Sequence, residues 1–338
     1  MLTLGFIGGG SQAFDPLILL LLALMLDAYF GDLPALFKRV RHPVAVLGVV
    51  IALFDRKLNR EKRSPADRAV RGTVTVLIVA GGTGALGLGV AWLTLHHPFG
   101  WVIELTFIFL LVAQRGLYDH VEAVKRGLDE SLEAGRGAVS HIVGRDPAQL
   151  DTHGVARAAI ESTAENFADG VVAPVLYYVL FGAPGLFVYK AVNTMDSMIG
   201  HRTPEYRAFG MAAARLDDVL NFIPARIAGL MICLGALFTP TAHPGRAVLV
   251  MLRDAGKHRS FNAGWPEGAM AGALNLALAG PRRYLKETVN DPWIGDGTAQ
   301  AGAADIKRAL YLYAIACLVN AALITAFSVF RFSLPAAG

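Results

Sequence analysis

Uncharged apolar stretches long enough to cross a bilayer recur from one end of this 338-residue chain to the other. In hydrocarbon each backbone N–H and C=O must find its partner inside the protein, so such a stretch is confined to a helix or a closed barrel. Thr73 to Leu95 is about 23 residues without a charge, enough to cover roughly 30 Å at 1.5 Å per residue. Ala309 to Phe330 is equally clean, bounded by Lys307-Arg308 and Arg331. Hydrophobic residues make up 54% of the chain and charged residues 17%, against about a quarter charged in soluble domains. The pattern predicts an all-α, polytopic integral membrane protein built as a single membrane-integrated unit over residues 1–338.

Two further spans are expected near 16–37, which carries Asp27 and Asp32, and near 99–113, which carries Glu104. No Lys or Arg precedes Lys38, so the amino end is not read as a signal peptide. Cys233 and Cys317 both lie in apolar runs, which argues against a disulfide framework or a cysteine metal site. The linker of residues 38–72 holds ten Lys and Arg, from Lys38 to Arg71, against Asp55, Glu61 and Asp67, so it is assigned to the cytoplasm. Its apolar stretch Val44 to Phe54 is too short to cross and should lie at the interface. The His96-His97-Pro98 turn then faces outside, and the polar regions near 114–170, 190–221 and 240–308 are cytoplasmic. Val171 to Tyr189 is interrupted by Gly182-Ala183-Pro184-Gly185, and Phe222 to Phe238 carries Pro224 and Arg226. Both are expected to be broken or re-entrant helices, a geometry tolerated where the segment lines a polar cavity.

Ionisable groups beside apolar segments are costly and mark function. Between Glu161 and Arg226 they are dense: Glu161, Glu165, Asp169, Lys190, Asn193, Asp196, His201, Arg202, Asp217, Asp218 and Asn221. Glu161 and Glu165, spaced i, i+4, share a helix face, with Asp169 a turn further, and Asn193 and Asp196 repeat the spacing at i, i+3. Oxygen donors in this pattern suit Mg²⁺, which takes one or two carboxylates, waters and phosphate oxygens. The competing reading is a solvated helix face paired with Arg157. Arg202, Lys257, His258 and Arg259, with Ser260 and Asn262, are the candidate phosphate ligands. Snorkelling at the membrane surface is the alternative for Lys257 to Arg259. Arg226, inside an apolar run, should face a polar cavity. The glycines from Gly81 to Gly87 lack the Lys-Ser or Lys-Thr of a phosphate loop and are expected to allow close helix packing. No basic and aromatic stripe suggests nucleic acid.

Four ordered blocks, Glu161–Pro174 (ESTAENFADGVVAP), Lys190–Arg202 (KAVNTMDSMIGHR), Ala213–Arg226 (AARLDDVLNFIPAR) and Asp254–Ala273, closely resemble the CobD/CbiB family of cobalamin biosynthesis. The likeness runs from His42-Pro43 and Gly48 to the last span. It implies an acid–amine ligase of the bacterial inner membrane, with its site facing the cytoplasm. Using ATP and Mg²⁺, it joins (R)-1-aminopropan-2-ol O-phosphate to the free carboxylate of adenosylcobyric acid, giving adenosylcobinamide phosphate. On that basis Glu161, Glu165, Asp169, Asn193 and Asp196 are assigned to the metal, and Arg202 and Lys257 to Asn262 to nucleotide phosphates. Asp217, Asp218 and His201 are assigned to catalysis, and all these groups are expected to converge. The expected partners are the corrinoid, the amino alcohol phosphate and membrane lipid, with self-association or association with other corrinoid-pathway enzymes.

Two other classes fit parts of the pattern. A Mg²⁺-dependent intramembrane prenyltransferase also uses helical Asp and Asn clusters, which Asn193-x-x-Asp196 and Asp217-Asp218-x-x-Asn221 resemble. A transporter would place midplane charges in broken helices, whereas these acids lie at span ends and in polar loops.

Overall fold

The computed structural model describes residues 14–31, 41–144, 147–284 and 287–333. Helix dominates: α1 (Pro16–Phe30), α2 (Pro43–Leu58), α3 (Pro65–His96), α4 (Gly100–Leu111), α5 (Gln114–Glu130), α6 (Leu132–Val139) and α7 (Thr152–Phe167). A π-helical turn (Ala168–Val172) leads into α8 (Ala173–Ile199), followed by α9 (Met211–Leu220), α10 (Phe222–Leu237), α11 (Pro244–Asp254), α12 (Gly264–Leu274) and α13 (Ala303–Ser333). The starts are encoded locally. Asp15, His42 and Ser64 each accept a backbone N–H of the first turn, and each precedes a proline, whose missing N–H costs nothing at that position.

The chain is an all-α polytopic membrane protein. Among the described residues four helical stretches are long and apolar enough to cross a bilayer: Pro65–His96, Gly100–Glu130, Thr152–Ile199 and Ala303–Ser333. A fifth arises if α9 and α10, bent by 46° about Asn221, form one broken span. α1 is apolar but has 15 residues, and residues 32–37 of the span expected there lie outside the described residues. The break anticipated in 171–189 falls at Gly182, whose φ of 65° leaves the helix, just ahead of Pro184. In 222–238 the bend comes earlier than Pro224 and Arg226. Pro224 sits in the first turn of α10, where it fits without a kink.

The chain packs as two compact units, each drawn from discontinuous stretches. The first comprises Met1–Ala113 and Ala173–Asn221, and the second Gln114–Val172 and Phe222–Gly338. In the first, α3 lies along α8, and Val76, Val79, Val192, Met195, Ile199 and Phe209 form the core. Between helices in lipid the hydrophobic effect is weak, so small residues that permit close approach matter most. A Cβ at Gly87 would sit 2.6 Å from Pro184 Cα, and one at Gly72 would overlap the Phe209 carbonyl oxygen at 1.8 Å. The expected role for the Gly81 to Gly87 run is therefore corrected in part. Gly84 and Gly87 meet α8, whereas nothing lies within 4 Å of a Cβ at Gly81 or Gly82. Leu77, Leu88 and Trp92 on α3 are exposed, as a lipid-facing surface requires.

In the second unit α13 packs along α5, α7 and α10, where Phe167 and Tyr313 meet edge to face and Tyr313 Oη donates to the Gln114 carbonyl at 2.7 Å. Pro244 opens α11, which lies against α12 with Gly268 and Gly272 at the close approaches. One element was not anticipated: an antiparallel hairpin of β1 (Leu278–Tyr284) and β2 (Glu287–Ile294), with a register shift between Ala279 and Pro281. Its backbone uses positive φ at Ala279 (57°), Gly280 (75°) and Gly295 (86°).

Gly72→Val is expected to lower the melting temperature of the detergent-purified protein by several degrees, because overpacking costs about 1–3 kcal/mol and the obstacle here is backbone. Gly81→Ala, facing open space, should leave it unchanged. Equal melting of the two variants would contradict the packing described.

Candidate functional site

In the first unit α8 carries Asn193 and Asp196, while α9 carries Asp217 and Asp218. Asp217 is buried and accepts from Asn221 Nδ2 at 2.9 Å and Asn193 Nδ2 at 3.4 Å. Tyr189 Oη donates to Asn221 Oδ1 at 2.9 Å, and the Tyr189 ring stacks on Tyr177, whose hydroxyl donates to the Leu220 carbonyl. The C-terminal end of α9 is thus held by a side-chain network. Asp196 and Asp218 lie near enough for their charges to act on Asp217, so the three carboxylates are neighbours. Gly200 makes room for Asp196: a Cβ there would fall 1.9 Å from Oδ1. His201 and Arg202 follow in an exposed turn, with the His201 ring 6.3 Å from that of Tyr206.

The second unit holds the rest. Glu161, buried on α7, accepts the Ala279 N–H at 2.8 Å and so fixes the start of the hairpin. Arg157, considered above as a partner for these acids, donates to the Ala299 carbonyl and lies over the Trp293 ring. Glu165 is exposed and Asp169 half-buried. The expectation that Glu161, Glu165 and Asp169 continue one helix face needs correcting. Asp169 belongs to the π turn, whose wider winding rotates it off the straight-helix position.

The basic loop is more self-contained than its sequence suggested. Asp254, fully buried, takes both guanidinium arms of Arg253 at 2.8 Å, Lys257 Nζ at 2.7 Å and the Gly295 N–H at 2.9 Å. The Arg253 fork, with Lys257 and that N–H, holds the Asp254 carboxyl far below the usual carboxylate range, although burial opposes them. Arg253 likewise lowers Asp296. Arg259 Nε meets Asp291 at 2.6 Å, and His258 Nε2 lies 3.6 Å from the buried Glu267. Since His258 Nδ1 accepts the Ser260 N–H, the proton of its neutral ring resides on Nε2. Ser260 Oγ accepts the N–H groups of Asn262 and Ala263, and Asn262 Oδ1 accepts from Arg226 at 2.9 Å. Arg226 also donates to the Phe222 carbonyl at 2.7 Å. Its guanidinium lies 3.7, 4.9 and 4.7 Å from the ring centres of Phe222, Phe261 and Trp265. The surrounding rings offset the cost of placing a cation on an apolar helix.

The candidate ligands therefore fall into two sets. Asn193, Asp196, His201, Arg202, Asp217 and Asp218 belong to the first unit, and Glu161, Glu165, Asp169 and Lys257 to Asn262 to the second. Among the described residues no three His, Cys, Asp or Glu side chains are placed to hold a metal ion between them. The acidic donors are all hard oxygens, which fits Mg²⁺ held by one or two carboxylates and completed by water and phosphate. Sequence reasoning missed Asp254 and Tyr189. Asp254 sits among cations in the loop motif, where charge alternation was the available signal.

Apolar spans, a break at Gly182 and a bend at Asn221, with polar side chains near them, together define a polytopic integral membrane protein. Residues 20–313 match the sequence model of a family described as CobD/Cbib protein, and the chain belongs to that family. It is 47% identical over 321 residues to the cobalamin biosynthesis protein CobD of a Sinorhizobium species, covering 92% of this chain and 97% of that one. The protein of the same name in Brucella melitensis is 49% identical over 302 residues, covering 88% and 92% of the two chains. That of Rhodobacter capsulatus is 46% identical over 300 residues, covering 87% and 92%. No solved structure matches the chain.

Asp254→Asn removes the carboxylate that gathers Arg253, Lys257 and Gly295, at an expected cost of about 1–3 kcal/mol. The folded carboxyl titrates below the unfolded value of about 3.9, so its contribution is complete above that pH and is lost as pH falls through the folded value. The gap in melting temperature between wild type and variant should stay constant from about pH 7 to 5 and close below about pH 4. A gap that closes between about pH 8 and 6 would contradict the assignment.

Proposed function

We propose that the protein is an enzyme of cobalamin biosynthesis that ligates (R)-1-aminopropan-2-ol O-phosphate to the free carboxylate of adenosylcobyric acid, with hydrolysis of ATP to ADP and phosphate. The observation that carries this reading is the family match over residues 20–313, which contains all four motif blocks. The relatives' shared name supports the pathway and a corrinoid substrate. The cationic linker of residues 38–72 supports the cytoplasmic orientation, and the family resemblance supports the inner membrane.

A carboxylate is a poor acyl donor. Its oxygen attacks the γ-phosphorus of ATP, expelling ADP and leaving an acyl phosphate. The amine then attacks the acyl carbon, phosphate departs with the transferred oxygen, and the ammonium gives up its proton. Mg²⁺, when bound, would neutralise phosphate charge. The candidate donors to it are the oxygens of Asn193 and Asp196 in the first unit or, separately, those of Glu165 and Asp169 in the second. Glu161, already engaged by Ala279, would support the hairpin. Asp217 and Asp218 are the candidate proton acceptors for the amine. His201 is a second candidate, exposed next to Arg202. Arg202, Lys257, His258 and Arg259 meet phosphate oxygens, and Ser260 and Asn262 shape that loop.

Purified protein given ATP, Mg²⁺, adenosylcobyric acid and the amino alcohol phosphate should form the amide with one ADP released per bond. ATP-independent consumption of an isoprenyl diphosphate would overturn this reading. Glu165 is exposed, so Glu165→Gln should fold normally yet need roughly 10- to 100-fold more Mg²⁺ for half-maximal rate. Normal turnover of this variant at limiting Mg²⁺ would remove Glu165 from the metal.

A further inference from the structure

The first unit carries an apolar groove of about 300 Å³ walled by Val46, Val50 and Phe54 of α2 and Ile78, Gly82 and Leu86 of α3. No Asp or Glu lines it, and Lys190, its one ionisable lining residue, already has a partner. Val46, Ile78 and Leu86 are exposed, and a Cβ on Gly82 would meet nothing within 4 Å, so the groove opens sideways. Ile78 to Leu86 fall within the uncharged stretch of α3, which places the groove, and with it the Val44 to Phe54 stretch expected at the interface, at bilayer depth.

Cations gather at one end. Arg68 Nε donates to Asn59 Oδ1 at 2.7 Å, which sets the end of α2 beside the start of α3. Lys57 stands three residues past Phe54 and seven past Val50, so helical winding carries it onto the stripe that lines the groove. Arg56, Lys57, Arg60 and Lys62 are exposed and, among the described residues, none has a carboxylate within 4 Å, whereas Arg63 and Arg71 share Asp67. Asp55 accepts Asn59 Nδ2 at 2.8 Å, so Glu61 is the one acid left among these four cations.

We propose that this groove seats one acyl chain of an anionic glycerophospholipid, with the headgroup phosphate against Lys57, Arg60 and Lys62. The apolar walls cannot solvate a small polar anion, and the cations oppose a cationic amphiphile, so an apolar chain ending in negative charge is the chemistry that matches both parts. Each Lys or Arg at a membrane surface favours anionic over neutral lipid. The sideways opening leaves the second chain in the bilayer, which suits a two-chained lipid over a single-chained isoprenyl phosphate. The site is independent of the ligation proposed above.

The test takes full-length protein in nanodiscs of equal phosphatidylglycerol and phosphatidylcholine, moves it into detergent and identifies the retained lipid by native mass spectrometry. Phosphatidylglycerol should be retained in preference to phosphatidylcholine. Lys57→Gln, Arg60→Gln and Lys62→Gln combined should weaken that retention roughly 10- to 100-fold. Gly82→Leu, which fills the groove, should abolish it, and Gly81→Leu, which faces open space off the groove, should leave it intact. Equal retention of the two lipids overturns the proposal, as does phosphatidylglycerol retention that survives either the triple substitution or Gly82→Leu. Displacement of the lipid by an equimolar isoprenyl diphosphate overturns it too. Should a variant fail to melt cooperatively, wild-type protein is photo-crosslinked to phosphatidylglycerol bearing a diazirine in one acyl chain. Adducts on the peptides containing Val46 to Phe54 and Ile78 to Leu86 then sustain the site, and adducts confined to other segments overturn it.

Discussion

A carboxylate removed from water has to be met by donors, and the arrangement of this chain follows from how each unit meets that demand. In the first unit, Glu104 on an otherwise apolar helix accepts the Tyr178 hydroxyl at 2.8 Å, tying α4 to α8. Asp217 takes two asparagine amides, one of which, Asn221, sits at the bend between α9 and α10 and is steadied by Tyr189. In the second unit, Glu161 and Asp254 accept the backbone N–H groups of Ala279 and Gly295, which flank the hairpin. Asp217, Glu161 and Asp254 thus hold places where regular helix gives way, while Glu104 joins two helices.

The spans were legible because hydrocarbon imposes a length and permits almost no charge. Thr73 to Leu95 and Ala309 to Phe330 could be read by counting, and both lie inside single helices. Gly182 was legible too, because a Gly-Ala-Pro-Gly run cannot continue a helix unbroken. The bend at Asn221 was not, since asparagine is an ordinary helix C-cap and Pro224 was the louder signal. The hairpin escaped for a related reason. Its register shift and positive φ values at Ala279 and Gly280 leave no clean alternation, and its anchor is a side chain on α7, far away in the chain.

The candidate residues were legible as a set, because acids, amides and cations beside apolar runs stand out in composition. Their individual engagements were not. Lys257 and Arg259 read alike in sequence, yet one serves the buried Asp254 and the other pairs with Asp291 of β2. Arg226 stood out because an apolar helix bears a cation at a cost, and the three aromatic rings around it were not visible in the sequence. Spacing reports which side chains share an element, but tertiary partners decide which of them remain to meet a ligand.

The central functional claim is that the corrinoid carboxylate is activated by transfer of the γ-phosphoryl group of ATP before the amine attacks. Incubating the purified protein with adenosylcobyric acid labelled with ¹⁸O in its free carboxylate, ATP, Mg²⁺ and the amino alcohol phosphate, and analysing the products by mass spectrometry, tests this directly. The account predicts one ¹⁸O in the inorganic phosphate released for each amide formed. Label recovered in AMP, or phosphate free of label, would contradict it.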